Sequence, residues 1–184
     1  MNIKTGFIIK LVSNQDLKMK KQSYCPVNQS LDVIGDKWTL LIIRDIMFHG
    51  KRHFNEFLTS EEKIAKNILS DRLKKLVNTV ILVKVPDESH KQKNKYILDY
   101  SGIDLIPIMI ELYLWAGWTN KTSESDFNLV LEMKNSKFRF QEQLKKTLTL
   151  EIKEAFKNND DLFKKTMKKI SPGIKTIAEI TKGI

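Results

Sequence analysis

A mainly α chain carrying one small β-hairpin, an α+β arrangement, is what the sequence predicts, on three observations. Between Cys25 and Leu76, apolar residues recur at helical spacing in several short stretches separated by Gly or polar turns. VILVKVP (80–86), rich in β-branched residues, and NKYILDY (94–100), which alternates as a strand should, flank the polar segment DESHKQK. Helical spacing then returns and runs, with two polar interruptions, to the end of the chain.

The elements come in this order. Residues 1–24 are polar, Lys-rich and weakly periodic, and are read as an N-terminal tail in which Met19, followed by Lys-Lys, is a candidate translation start. VNQSLDVIG is a short helix ended by Gly35, and KWTLLIIRDIMF a longer one ending near Gly50, with Trp38, Leu41, Ile42 and Ile46 as its expected buried stripe. HFNEFL is a third short helix. Next, Thr59 and Glu62 have capping-box spacing, so one continuous helix could start at that point.

The stretch KIAKNILSDRLKKL (63–76) has two faces. Ile64, Ile68, Leu69, Leu73 and Leu76 form an apolar one, while Lys66, Asn67, Ser70, Asp71 and Lys74 form a face of hydrogen-bonding side chains. The β-hairpin comes next, its turn basic. SGIDLIPIMIELYLWAGW (101–118) is then helical, with Ile103, Ile106, Ile110 and Leu114 aligned and Pro107 expected to bend its first turns. After a polar linker at 119–125, Phe140, Leu144, Leu148, Ile152 and Phe156 step by four along an amphipathic helix; Asn158, Asn159 and Asp160 break it, and SPG at 171–173 breaks the next.

The formal net charge of +10 favours polyanions, nucleic acid first and an anionic membrane surface second. Lys10, Arg44 and Glu111 interrupt the most apolar windows, so none reaches the roughly 18 residues of a membrane span. The start, MNIKTGFIIKLVSNQ, makes a poor signal peptide, which leaves a cytoplasmic location as the expectation. The single cysteine, Cys25, excludes an internal disulfide and a cysteine-based zinc site.

Short helices followed by a hairpin are the winged variant of the helix-turn-helix, in which the second helix of the motif enters the DNA major groove. On that reading Lys66, Asn67, Ser70 and Lys74 reach base edges or phosphates, while Lys91, Lys93 and Lys95 of the wing reach the adjacent backbone. Asp71 would repel phosphate, so it faces a base donor or supports a neighbour.

The stretches CPV, IGDKWTLLIIRD, GKRHFNEFL, IAKNILSDRLKKL, KYILDYSG and GIDLIPIMIELYLWAGW resemble, in order and spacing, the HxlR-type winged helix-turn-helix transcriptional regulators, from about Cys25 to Trp118. The resemblance implies a cytoplasmic homodimer, paired through its first helix and the helix after the wing, that binds double-stranded DNA at an inverted-repeat operator. It implies a recognition helix beginning near Ala65, a motif turn at about Ser60 to Lys63, and Arg72, in place of the family's usual arginine, as a further DNA contact. Gly102, Pro107 and Trp115 match the family's final helix. Some members sense oxidants or electrophiles through a cysteine placed like Cys25, so a small-molecule or oxidant effector is implied as a candidate partner. This chain departs at Ala65, where a hydroxyl cap is common, and at Val80, which replaces the glycine that usually ends the recognition helix; Asn78 is an alternative end.

Several residues keep two readings. Cys25 precedes Pro26, which would leave its thiol at a helix N-terminus as a redox sensor, or it is simply a small residue at a helix start. His49 and His53 have metal-pair spacing without a third ligand and are read as coincidence. Tyr113, Trp115 and Trp118 either line a ligand pocket or belong to a dimer core. No nucleophile, base and orienter assemble by motif, so no catalytic residue, metal or cofactor is expected and the chain is not read as an enzyme. The resulting organisation is a tail (1–24), a winged helix-turn-helix DNA-binding domain (25–123) and a helical C-terminal extension (124–184) that enlarges the dimer interface. A winged-helix protein-interaction module without sequence-specific DNA binding is the rival, and a membrane-surface protein using its amphipathic C-terminal helices the third option.

Overall fold

A computed structural model describes residues 24–87, 94–117 and 123–169. The first helix, α1 (Pro26–Ile34), opens with proline at its first position, where the missing N–H would lack a helical partner in any case, and closes at Gly35. Asp36 then caps α2 (Lys37–Met47), its carboxylate accepting the Thr39 N–H at 3.1 Å. The buried face of α2 is Ile42, Ile43, Ile46 and Met47. Trp38 and Leu41 are only half-buried, so the stripe is turned slightly from the expected one.

Two short connections frame α3 (Phe54–Leu58) and lead into α4 (Lys66–Asn78). No helix starts at Thr59; residues 59–65 form the turn instead, with Lys63 in the left-handed region at φ 52°. The hairpin is antiparallel, β1 (Leu82–Pro86) against β2 (Asn94–Leu98), in a register running from Leu82 opposite Leu98 to Pro86 opposite Asn94. Arg52 extends it by one rung, its carbonyl accepting the Tyr96 N–H at 2.8 Å. Both strands are shorter than the extended stretches in the sequence, because Val80 and Ile81 close α4, and Asp99 and Tyr100 open the next helix.

The single bent helix expected over 101–118 is two helices, α5 (Tyr100–Ile103) and α6 (Ile106–Gly117). Pro107 explains the break: it has no N–H to give the carbonyl four residues back and its ring crowds that position, so the chain restarts with proline in the first turn. The extension forms α7 (Glu124–Lys157), bent where Ser136 leaves helical geometry, and α8 (Asp160–Lys169). Ser123 starts α7 by accepting the Asp126 N–H, so the helix reaches two residues into the predicted linker.

Close pairs run from Gly117 with Val130, through Glu111 with Lys137, to Asp104 with Lys145, which sets α7 antiparallel to α6. Farther along, Arg52 and Glu151 make a two-pronged ion pair at 2.7 and 2.9 Å. Met133, Leu148, Ile152 and Phe156 enter the same apolar cluster as Ile43, Leu73, Ile97 and Ile110. Each such side chain contributes roughly 1.5–3 kcal/mol by burial, so α7 is part of the core rather than an appendage. None of the described helices is long and apolar enough to cross a membrane.

Candidate nucleic-acid interface

The position of α4 is set by what its inner face buries. Leu69, Leu73 and Leu76 are fully enclosed, and the helix can rotate only by exposing them. Lys66, Asn67, Asp71 and Lys74 are left in solvent on the opposite side, with Ser70 half-buried among them. Four of the predicted contacts, Lys66, Asn67, Ser70 and Lys74, therefore share one outward face.

Arg72 does not join them. Its Nε donates to Asp36 at 2.9 Å and its NH1 to Asp71 at 2.6 Å, so the guanidinium lies back over the N-terminus of α2. Asp71, expected either to meet a base donor or to support a neighbour, takes the second part towards Arg72. Lys95 stands opposite Val85 in the hairpin and is half-buried. Lys91 and Lys93 lie outside the described residues, as do Trp118, Met19 and the 171–173 break.

The turn into α4 is built on a buried carboxylate. Asp45 is almost inaccessible and meets Arg44 at 2.7 Å and Lys51 at 3.0 Å, and it accepts the Ser60 hydroxyl. Arg44 also pairs with Glu62, and Lys51 donates to Ser60 at 2.6 Å. Two cations and a hydroxyl offset the desolvation of one carboxylate and tie α2 to both sides of the turn. Ala65 is the N-cap of α4 with no side-chain bond to the first turn, as its methyl group dictates.

At its other end α4 keeps the left-handed ending that glycine usually supplies. Val80 has φ 60°, its N–H reaches the Val77 carbonyl at 3.4 Å, and Ile81 reaches back to Leu76 at 3.0 Å. Asn78 is the last helical residue, and Val80 bears the left-handed strain in full.

The histidine spacing in the sequence acquires a different meaning. No group of described residues is arranged to hold a metal ion. Instead His53 lies between two carboxylates, Nδ1 at 3.0 Å from Glu56 and Nε2 at 2.8 Å from Asp87, where β1 ends. Glu56 holds the ring in its charged form, with Asp87 adding to the effect, and lifts its pKa above the ordinary 6.5. Burial opposes the charge on Glu56, but the Arg52 and His53 backbone N–H groups and the ring bring its carboxyl down to about 2.

Sequence reading missed Asp36, Asp45 and His53 as structural partners of the interface. Asp36 had a local signal, an acidic residue just ahead of an apolar-periodic stretch. Asp45 had a weaker one, a carboxylate inside the buried stripe LLIIRDIM. The partner of His53 is 34 residues away and has none.

Cys25 is exposed and is the N-cap of α1. Near it and on α6 the surface is apolar: Tyr24, Val27 and Leu31 on one side, Ile108, Leu112 and Trp115 on the other, all exposed. Tyr113 turns inward, packing edge-on against Phe48 at 4.8 Å between ring centres.

A family model described as HxlR-like helix-turn-helix matches residues 33–124, ending where α7 begins. An HTH-type transcriptional regulator of Mycobacterium bovis is 35% identical over 90 residues, covering 49% of this chain and 56% of the relative. This chain thus matches little more than half the length of that protein. The HTH-type transcriptional regulator YdeP of Bacillus subtilis is 30% identical over 92 residues, 50% of this chain and 71% of its own. Among solved structures, the redox regulator HypR in its oxidized form is 32% identical with a TM-score of 0.47, covering 54% of this chain and 100% of that one.

Proposed function

The chain belongs to the HxlR-like helix-turn-helix family, and from that premise we propose that it is a dimeric, sequence-specific DNA-binding regulator of transcription acting in the cytoplasm. Its relatives are regulators rather than enzymes. The observation that carries the reading is the outward row Lys66, Asn67, Ser70 and Lys74 on a helix whose opposite face is locked in the core. Such a row offers donors to base edges and phosphates in a major groove, and the excess of positive charge draws the duplex in. In this scheme residues 25–123 read the DNA, Lys91, Lys93 and Lys95 add backbone contacts, and 124–184 support the domain.

The exposed apolar residues on α1 and α6 are the surface proposed to pair two copies, setting two α4 helices about 34 Å apart on an inverted repeat. Replacing Lys66, Asn67 and Lys74 together with Ala is expected to abolish operator binding in a gel-shift titration while the dimer stays folded. Unchanged affinity would sink the proposal. In the rival reading, a protein-interaction module, duplex binding at low salt is absent or lacks the steep salt dependence of counterion release.

Cys25 is the residue proposed to answer an oxidant, on the strength of its exposure at the start of the α1 surface. With one cysteine per chain, any disulfide must be made with a second protomer or with a small thiol. Intact mass and a non-reducing gel after mild oxidation separate these two products, and an unchanged thiol would remove the effector role.

A further inference from the structure

We propose that His53 is a positioning residue for the wing, clamping the turn-side end of β1 to α3 when its ring is charged, so that duplex affinity falls as the ring loses its proton. The inference rests on the DNA-binding reading above and adds a control to it.

The geometry makes the charge necessary. A neutral imidazole donates through one nitrogen only, whereas both ring nitrogens here face carboxylate oxygens, Glu56 at 3.0 Å and Asp87 at 2.8 Å. Once the proton is lost, one of those carboxylates confronts a lone pair, and the contact turns from attraction to repulsion. The two partners stand on different parts of the fold: Glu56 is on α3, the helix before the motif turn, and Asp87 directly follows the last residue of β1. His53 is thus a charged link between the motif and the hairpin that comes after it.

Glu56 spends its second oxygen on the backbone N–H groups of Arg52 at 2.6 Å and His53 at 2.8 Å. The Arg52 side chain is committed to Glu151 and to the Ile46 carbonyl. The His53 side chain is about 30% exposed, so protons exchange with solvent without unfolding. The direction is set by the same arrangement: the clamp is closed at low pH and opens as pH rises through a midpoint above that of a free imidazole.

The test uses the full chain and a duplex selected from a random-sequence pool by the wild-type protein at about pH 6, with affinity measured at constant ionic strength. The wild type is expected to bind about fivefold or more weakly at about pH 8.5. His53→Arg, a permanent cation with several donors, should lose most of that dependence and stay tight. His53→Gln should be weak throughout and flat. The chain has two other histidines, His49 and His90, so the comparison between variants decides. A wild type with no pH slope, or a His53→Gln protein with the wild-type slope, would overturn the inference and leave DNA binding standing.

Absence of duplex binding at every pH would instead overturn the DNA-binding reading and the role at the wing with it. The clamp itself has a separate readout in the free protein, the ring-nitrogen NMR titration of His53. A midpoint above that of an exposed imidazole that drops in Asp87→Asn supports it, including if His53→Gln does not fold; a midpoint that Asp87→Asn leaves unmoved overturns it.

Discussion

Arg72 of α4 and Asp36 of α2 meet at 2.9 Å, and the carboxylate that holds the arginine is the same one that caps the N-terminus of α2. Helices α2 and α4 are therefore joined end to face by a single side chain. Removing either partner acts on the orientation of α4, not on its exposed row.

That separation gives a first prediction. Arg72→Ala should lower both stability and DNA affinity, because Asp36 loses its 2.9 Å ion-pair partner and is left with Lys75 at 3.8 Å, whereas Lys74→Ala should lower affinity alone. Asp36→Ala removes the cap as well and should cost about 1–2 kcal/mol, read from urea denaturation midpoints. Burial opposes the Asp36 charge, but Thr39 and Arg72 outweigh it and hold the carboxyl below its ordinary value. Its contribution is accordingly complete above the unfolded-state pKa and is lost as pH falls through the lower folded one. An Arg72→Ala protein as stable as the wild type would show that the pair does not anchor α4.

Val80 provides a second. Its side chain is buried and its φ of 60° is unfavourable for any residue with a Cβ, by about 1–2 kcal/mol. Val80→Gly and Val80→Ala both lose the buried branches, but only glycine relieves the strain. The glycine variant is expected to be more stable than the alanine one by about 1 kcal/mol, a reversal of the usual order for these residues. Equal midpoints would mean that the turn relaxes when the branches go.

Ala65 gives a third, in the stabilising direction. A hydroxyl at this N-cap can accept from the open N–H groups of the first turn of α4, so Ala65→Ser should raise stability by about 0.5–1 kcal/mol in thermal denaturation. Serine adds no negative charge beside the face proposed to meet phosphate. A gain in stability accompanied by lost duplex binding would instead place the Ala65 methyl against the DNA.

What the sequence made legible was periodicity and local chemistry. The inner and outer faces of α4 reflect the 3.6-residue repeat; Gly35 and Asn158 stop helices as their types suggest; and the hairpin announces itself through a β-branched stretch before a polar turn and an alternating one after it. What stayed hidden depends on partners distant in the chain. Arg72 is drawn away from the exposed row of α4 by a carboxylate 36 residues earlier, and Arg52 finds Glu151 99 residues later. The strand ends were overrun because Val80, Ile81 and Tyr100 are good strand residues that tertiary structure uses as a helix cap and a helix start. Pro107 was recognised as a disturbance, but whether it bends a helix or divides it is decided by packing on both sides.

Asp99 carries a prediction about pH. It is fully buried, one oxygen accepts the Tyr100 N–H at 2.6 Å and the other has no hydrogen-bond partner among the described residues; burial lifts its pKa to about 7. The unfolded chain gives up this proton near pH 4 while the folded chain keeps it, so stability falls as pH rises from about 4 to about 7 and then levels. Asp99→Asn removes that dependence. Its stability relative to wild type should improve by on the order of 3 kcal/mol between those limits, measured by urea unfolding at each pH. A constant difference across the range would mean that Asp99 is already ionised in the folded protein.

The extension leads to the last prediction. Ile152 is fully buried in the cluster shared with the winged domain, and Phe156 stacks near Tyr100 at 6.5 Å between ring centres. If α7 were a separate module, Ile152→Ala would leave the DNA-binding domain untouched. Because it completes that core, the substitution should cost about 2–5 kcal/mol in a single unfolding transition that includes the winged domain. Glu151→Gln should cost less, since it weakens the Arg52 pair at the surface without opening a cavity. Two separated transitions, with only the second insensitive to Ile152→Ala, would show instead that the extension folds by itself and merely rests on its neighbour.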